Sequence, residues 1–232
     1  MPGKTRSRAR GTGPGRREIA PGLPPPLVPG EPPSDQPLPS TPLAITARVT
    51  SLPTLVVVSG PMGSGKTTLA HNIAHAVGCP AVCRDEIKEG MVHATPGFVP
   101  GPGDKLTMRT LPVFFGVLEL LLRAGVTTVA EAAFQDRLWR PGLEPLRSLA
   151  QLRIVHCMVD TDVAFERGLR RREENPLRRA HADPGPNDRA EHTLGHNAFD
   201  RVSVEAPWIE LDTTDGYRPG LKEIVAFING KS

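Results

Sequence analysis

The residues best able to do chemistry in this chain form one octet, Gly60-Pro61-Met62-Gly63-Ser64-Gly65-Lys66-Thr67. The octet matches every fixed position of the phosphate-binding pattern G-x-x-x-x-G-K-[ST]. In this pattern the glycines let backbone N–H groups face phosphate oxygens, the lysine reaches the β and γ phosphates, and the threonine hydroxyl binds Mg²⁺. The sequence therefore predicts a site for a nucleoside triphosphate.

We expect the loop and the first turn after it to bind the triphosphate. The predicted nucleotide-binding residues are Gly60, Met62, Gly63, Ser64, Gly65, Lys66, Thr67 and Thr68. Lys66 is also a predicted catalytic residue, because its ammonium group can offset charge on the γ phosphate. ATP and Mg²⁺ are the cofactors that this pattern implies, with Thr67 as a metal ligand.

The segments around the octet favour this interpretation over a glycine-rich surface turn. Residues 54–59 form an apolar, β-branched run that is typical of a buried strand. Residues 67–77 can form a helix with Leu69 and Ile73 on one face. Strand, loop and helix is the order that the pattern requires.

Asp85 is a candidate catalytic base. It follows a short predicted strand over residues 80–84, and open α/β sheets bind ligands at the carboxyl ends of their strands. A carboxylate at that place could orient an acceptor hydroxyl and accept its proton. The alternative is that Asp85 caps a helix over residues 86–93.

Glu131 is a candidate metal ligand. It ends a predicted strand over residues 126–130, where it could hold a metal-bound water or contact a substrate. The run before Glu131 lacks the bulky apolar residues and the aspartate of a Walker B motif. An ordinary carboxylate at a strand end is therefore the alternative.

Arginines crowd the end of an amphipathic helix predicted over residues 162–174. Arg170 and Arg171 are predicted catalytic residues, because cations at this helix end could swing over the γ phosphate. A solvated basic face is the alternative. Residues 175–197 lack apolar periodicity, so we expect a mobile segment outside the core, and a lid over about residues 170–197.

The remaining segments alternate between helix and strand. One helix is predicted over residues 104–124, either with a kink at Pro112 or with a start at Thr110. Further predicted elements are a helical stretch near 143–150, strands over 153–159 and 208–211, and a helix over 221–228. This alternation predicts an α/β fold of the P-loop NTPase type, with a mostly parallel five-stranded sheet and helices on both faces.

Composition divides the 232 residues into a leader and one domain. Residues 1–53 contain 13 of the 26 prolines and an arginine cluster, so we predict a disordered leader there and a folded domain over residues 54–232. Residues 1–50 carry a net charge of +4, which leaves about −1 on the other 182 residues. A domain without excess positive charge argues against nucleic acid as a partner.

The sequence shows no pattern for membrane insertion or secretion. It contains no run of 18 apolar residues, and no apolar segment of a signal peptide follows the arginines. Its three cysteines lack C-x-x-C spacing, which fits reduced thiols. We therefore expect a cytoplasmic protein without a membrane partner.

Several of these motifs occur in an order that resembles the small P-loop kinases. They are the G-x-x-x-x-G-K-T loop, Asp85-Glu86-Ile87 after one strand, Glu131-Ala132-Ala133-Phe134 after another, and the arginine-rich helix over 163–172. Over residues 54–229 the chain is similar to predicted ATP-binding kinases related to chloramphenicol phosphotransferase and the zeta toxins, a group also described as AAA-type ATPases.

The resemblance implies an adenylate-kinase-like core, Mg-ATP as phosphoryl donor and a hydroxyl of a small molecule as acceptor. At the matching positions it implies that Lys66 and Thr67 bind ATP and the metal. It likewise implies that Asp85 is the base and that Arg170 and Arg171 are the lid cations.

The sequence thus predicts an ATP-dependent kinase that transfers the γ-phosphoryl group of Mg-ATP to a hydroxyl of a small molecule. Two alternatives stay open. One is a nucleotide or polynucleotide kinase, and the other is a non-catalytic ATP-binding switch whose 175–197 segment is ordered by the triphosphate.

Overall fold

The computed structural model describes residues 51–101, 103–181, 183 and 185–230, so nearly all of the predicted leader lies outside the described residues. The strands are β1 (Thr54–Ser59), β2 (Ala81–Cys83), β3 (Thr128–Glu131), β4 (Gln151–Met158) and β5 (Trp208–Asp212). They form one sheet in the order β2-β3-β1-β4-β5, and every neighbouring pair runs parallel. The predicted five-stranded sheet is confirmed.

Helices connect the strands. They are α1 (Lys66–Val77), α2 (Arg84–His93), α3 (Lys105–Arg123), α4 (Asp136–Leu143), α5 (Thr161–Glu174), α6 (Arg189–Asn197) and α7 (Leu221–Ile228). Short 3-10 helices span Glu144–Ser148 and Pro176–Ala180. The helical stretch predicted near residues 143–150 thus begins earlier, at Asp136. Across the described ranges, no helix combines the length and the apolar character needed to cross a membrane.

The central strand β1 is buried on both faces of the sheet. Leu55 and Val57 are fully buried against α3 and α4, whereas Val56 and Val58 are fully buried against α1 and α7. Successive side chains of a strand point to opposite faces, so a continuous apolar run is what a strand between two helical layers needs. The predicted placement of helices on both faces of the sheet is confirmed.

The amino end of α3 shows how a polar pair joins two helices. Asp104 is the N-cap, and its carboxylate accepts a hydrogen bond from the Thr107 N–H at 2.8 Å. The same carboxylate binds the Lys88 ammonium group of α2 at 2.8 Å, and both side chains are nearly buried. Pro112 lies inside α3, so the alternative start at Thr110 is wrong.

Residues 175–197 contain helical structure that the sequence pattern did not indicate. Arg178, Ala180 and His192 are buried, so the interpretation that this segment lies outside the core is wrong for these residues. Charged contacts, such as the ion pair of Arg178 with Asp183, stabilise the segment. Because such contacts do not require apolar residues at regular spacing, the apolar pattern of the sequence could not predict the helices.

Candidate functional site

The loop between β1 and α1 is packed closely against its neighbours at two glycines. A Cβ atom on Gly60 would lie 2.4 Å from the carbonyl oxygen of Cys157, and one on Gly63 would lie 2.3 Å from the carbonyl oxygen of Ala164. Gly63 also has a φ of 80°, which L side chains rarely adopt. The end of β4 and the start of α5 therefore determine the shape of the loop.

Lys66 places a buried cation inside the concave side of this loop. Its side chain is 6% exposed, and its ammonium group donates to the Pro61 carbonyl at 2.7 Å and to Ser64 Oγ at 3.4 Å. Burial lowers the pKa of Lys66, while the carboxylate of Glu131 opposes this effect. A buried cation with neutral hydrogen-bond partners fits an anion at this position.

The amino end of α1 adds hydrogen-bond donors to the same place. Gly65 is the N-cap and has no side chain to cap the helix, and the first turn contains no acidic residue. The first amides, those of Lys66, Thr67 and Thr68, have no acceptor inside the helix. These amides and the positive end of the helix dipole make the site suitable for phosphate groups.

Thr67 and Glu131 lie within hydrogen-bond distance. The Thr67 hydroxyl donates to Glu131 Oε2 at 3.1 Å, because the pairing of β1 with β3 sets Glu131 beside Val58 just before the loop. Glu131 is 4% exposed. Its burial raises its pKa, and Lys66 and Thr67 partly oppose this rise. A hydroxyl and a carboxylate are the hard oxygen ligands that Mg²⁺ prefers, so the two residues fit a magnesium site.

Asp85 lies in the first turn of α2, and Cys83 occupies the N-cap position. The capping alternative for Asp85 is therefore wrong. Its carboxylate accepts hydrogen bonds from Arg84 at 2.9 Å and from Arg178 at 3.2 Å, and His181 lies 4.0 Å away. Burial alone would raise the pKa of Asp85, but His181, Arg178 and Arg84 together hold it below its ordinary value.

The arginines of α5 have different environments. Arg167 donates to the carbonyls of Thr213 and Thr214 at 2.8 and 3.0 Å, so it positions the loop after β5. Arg170 is exposed, whereas the Nε atom of Arg171 is buried and has no hydrogen-bond partner within the described residues. Of the two predicted lid cations, Arg171 is therefore the one whose buried guanidinium nitrogen lacks a hydrogen-bond acceptor in the described part of the chain.

A pocket of about 470 Å³ borders the loop and α5, and we call it the α5 pocket. Its lining includes Gly63, Gly65, Thr68, Arg170, Arg171 and Tyr217. Its volume is in the usual range for sites of small molecules. The pocket therefore brings the open end of α1, three arginines of α5 (Arg167, Arg170 and Arg171) and an aromatic ring to one place, which suits a nucleotide.

A second pocket of about 450 Å³ borders the same loop at other residues, and we call it the α6 pocket. Its lining includes Pro61, Met62, Ala133, Glu191, His192 and His196. Met62, which was predicted to bind the nucleotide, thus lines the α6 pocket. The two pockets border the same loop at different residues, and no described residue lines both. Molecules bound in the two pockets could therefore be neighbours.

Neither Arg178 nor the α6 pocket was predicted from the sequence. Arg178 is 7% exposed and binds both oxygens of Asp183, at 2.7 and 2.6 Å, in addition to Asp85. The sequence around Arg178 shows only an arginine pair followed by an aspartate, in a segment without apolar periodicity. Such a signal does not indicate which distant carboxylate the arginine binds.

Solved structures share this fold. A candidate kinase from Chloroflexus aurantiacus j-10-fl is 21% identical with a TM-score of 0.69, and the match covers 78% of this chain and 100% of that chain. A gluconokinase from Sinorhizobium meliloti 1021 is 17% identical with a TM-score of 0.52, covering 78% and 94%. The Mycobacterium tuberculosis APS kinase, solved with AMPPNP and APS, is 13% identical with a TM-score of 0.53, covering 77% and 99%.

These similarities show a P-loop kinase fold and confirm the predicted fold class. The search of curated proteins found no match. A family model described as an AAA domain matches residues 55–186, a range that includes the phosphate-binding loop, Asp85, Glu131 and the arginines of α5. Because this match covers more than half of the chain, the protein belongs to that AAA-domain family.

Proposed function

We propose that this protein is an ATP-dependent kinase that transfers the γ-phosphoryl group of Mg-ATP to a hydroxyl of a small molecule. The observation that carries the proposal is one phosphate-binding loop that borders two pockets of similar size. The α5 pocket contains arginines, whereas no Lys or Arg occurs among the described residues that line the α6 pocket. Two unlike pockets beside one loop suit transfer between two different ligands.

In this proposal the α5 pocket holds the nucleotide. The first amides of α1 and Lys66 would bind the phosphates, and Arg170 and Arg171 would offset the charge that develops on the transferred group. Thr67 and Glu131 would hold Mg²⁺, which when bound neutralises part of the phosphate charge. The buried Nε of Arg171 supports its role, because an anion would supply the partner it lacks.

Asp85 would act on the acceptor. It would orient the hydroxyl and accept its proton as the acceptor oxygen bonds to the γ phosphorus and the bridging oxygen leaves with ADP. Its lowered pKa makes Asp85 a weak base. We therefore infer that orientation is its main contribution, in keeping with a loose transition state that needs little proton removal beforehand.

An acceptor must also compete with the contacts that Asp85 already has. Arg84 occupies one carboxylate oxygen of Asp85, and Arg178 occupies the other. We expect the acceptor hydroxyl to replace Arg178, because Arg178 keeps its two bonds to Asp183 when it leaves. The displaced Nη1 of Arg178 would then be a further cation near the reacting groups.

The names of the structural neighbours support a kinase with a small-molecule acceptor, since a gluconokinase and an APS kinase are among them. A closer relation to chloramphenicol phosphotransferase and the zeta toxins is part of this proposal. It rests on the shared order of the phosphate-binding loop, Asp85, Glu131 and the arginines of α5.

The test is an acceptor screen with the purified protein and Mg-ATP. ATP loss and phosphorylated products are measured against a panel of alcohols, nucleosides, sugars, antibiotics and oligonucleotide ends. We expect one class of small molecule to stimulate ATP loss with an equal amount of phosphorylated product. Lys66→Ala should abolish this activity, whereas Lys222→Ala, a change of an exposed lysine on α7, should preserve it.

Two results would contradict the proposal. ATP binding without acceptor-stimulated loss for any compound would favour the ATP-binding switch. Phosphorylation of oligonucleotide ends alone would favour a polynucleotide kinase.

A further inference from the structure

The α6 pocket has an excess of negative charge. Three carboxylates line it, those of Asp183, Asp188 and Glu191. The charge of Asp183 is offset by Arg178, which binds both of its oxygens. Asp188 accepts a hydrogen bond from the Gly185 N–H at 2.7 Å, and neither Asp188 nor Glu191 pairs with a cation of the described residues. Two uncompensated carboxylates therefore face the pocket or its rim.

The neighbouring arginine does not supply the missing positive charge. Arg189 binds Asp162 at 2.6 Å, also binds Glu166, and lies 4.4 Å from the centroid of the Phe165 ring. Its guanidinium group is therefore bound to acidic and aromatic side chains of α5. A ligand with a positive charge would meet no cation among the described lining residues.

His192 adds a second, independent sign of a ligand. It is 8% exposed and lines the α6 pocket, yet its Nδ1 atom has no hydrogen-bond partner within the described residues. Burial lowers the pKa of His192, which favours the neutral form of its ring. The buried Nε2 of His196 on the next turn also lacks a partner within this part of the chain. Buried ring nitrogens without partners would gain stability from polar groups of a ligand.

We propose that the acceptor bound in the α6 pocket is a hydroxyl compound that carries an ammonium or guanidinium group, such as an amino alcohol, an amino sugar or an aminocyclitol. The carboxylates of Asp188 and Glu191 would attract the cation, and the imidazoles of His192 and His196 would bind hydroxyl or amine groups. Anionic sugars and nucleotides would be rejected by the same carboxylates. This inference rests on the proposed kinase function.

The experiment compares acceptors that differ only in charge. Glucosamine and a set of aminocyclitols are each paired with their N-acetyl derivatives, and gluconate represents the anions. We expect kcat/KM to be about tenfold higher for each amine than for its N-acetyl partner. Glu191→Gln should lower kcat/KM for the amines about fivefold and leave the Kd of AMPPNP unchanged. Glu205→Gln, a change of an exposed residue outside the α6 pocket, should alter neither value.

Transfer with equal or better kcat/KM to N-acetylated or anionic acceptors would overturn this inference and leave the kinase proposal intact. The absence of transfer to every compound of this set and of the wider acceptor screen would overturn the kinase proposal. In that case the ring signals of His192 are followed by NMR during titration with glucosamine and with N-acetylglucosamine. A saturable shift with glucosamine alone would support a cation site, and no difference between the two titrations would overturn it.

Discussion

Arg178 Nη1 donates a hydrogen bond to Asp85 Oδ2 at 3.2 Å and so joins two residues that are 93 positions apart. Arg178 is also bound to Asp183, beside the α6 pocket. The candidate base is therefore linked to the segment between α5 and α6 as well as to its own helix. In the proposed function, an acceptor that binds Asp85 would compete with Arg178, and its binding would then be coupled to the position of this segment.

Asp85→Asn should preserve nucleotide affinity and lower the rate of phosphoryl transfer by about 10²- to 10⁴-fold. The amide keeps the size of the side chain but cannot accept a proton, and it orients a hydroxyl less strongly. Single-turnover transfer and AMPPNP titration measure the two effects separately. Glu86→Gln is the matched control, because Glu86 is exposed and binds His71 instead. Unchanged transfer in Asp85→Asn would exclude Asp85 as the base.

Glu131→Gln should raise the Mg²⁺ concentration for half-maximal activity about tenfold. The change removes a charge from a buried oxygen that contacts the Thr67 hydroxyl at 3.1 Å. The measurement is a Mg²⁺ titration at fixed ATP, with Thr67→Ser as a control that keeps the hydroxyl. An identical Mg²⁺ dependence in Glu131→Gln and the unmodified protein would assign Glu131 a role outside the metal site.

Gly63→Ala should abolish nucleotide binding, because the new Cβ would lie 2.3 Å from the Ala164 carbonyl oxygen and force the loop or α5 to move. Isothermal titration with AMPPNP measures the loss. Gly168→Ala is the control, since a Cβ at that helical position meets no described atom within 4 Å. We expect it to raise the free energy of unfolding by about 0.5–1 kcal/mol. Normal AMPPNP binding by Gly63→Ala would show that the loop tolerates displacement.

Asp104→Ala should lower the free energy of unfolding by about 1–3 kcal/mol at pH 7, because it removes an N-cap and leaves the buried Lys88 ammonium group unpaired. Burial opposes ionisation of Asp104, but Lys88 and Thr107 lower its pKa to about 2. Urea unfolding of both proteins measures the difference. Glu119→Ala, which removes an exposed ion pair with Arg123 on the same helix, should cost less than about 0.5 kcal/mol.

The effect of Asp104 should depend on pH in one direction. Since its pKa is lower in the folded state than in the unfolded state, its contribution is fully present above about pH 4 and is lost as the pH falls toward 2. The difference between the unmodified protein and Asp104→Ala should therefore shrink between pH 4 and pH 2. A constant difference over this range would contradict a lowered pKa for Asp104.

The sequence by itself determined the phosphate-binding loop and the order of the five strands. Both depend on residues that are adjacent or a few positions apart, such as Gly65-Lys66-Thr67 and the apolar run of β1. The cap at Asp104 is likewise local, since its carboxylate contacts the amide three residues later.

Only the tertiary structure decided which distant side chains meet. Thr67 and Glu131 come together through the pairing of β1 with β3, and Asp85 meets Arg178 through the packing of the 3-10 helix Pro176–Ala180 against α2. The α6 pocket depends on where α6 lies relative to Met62 and Ala133. Charged contacts, such as those of Arg178 with Asp85 and of Arg189 with Asp162, position the 3-10 helix and α6, so the spacing of apolar residues along the chain contained no signal for these two helices.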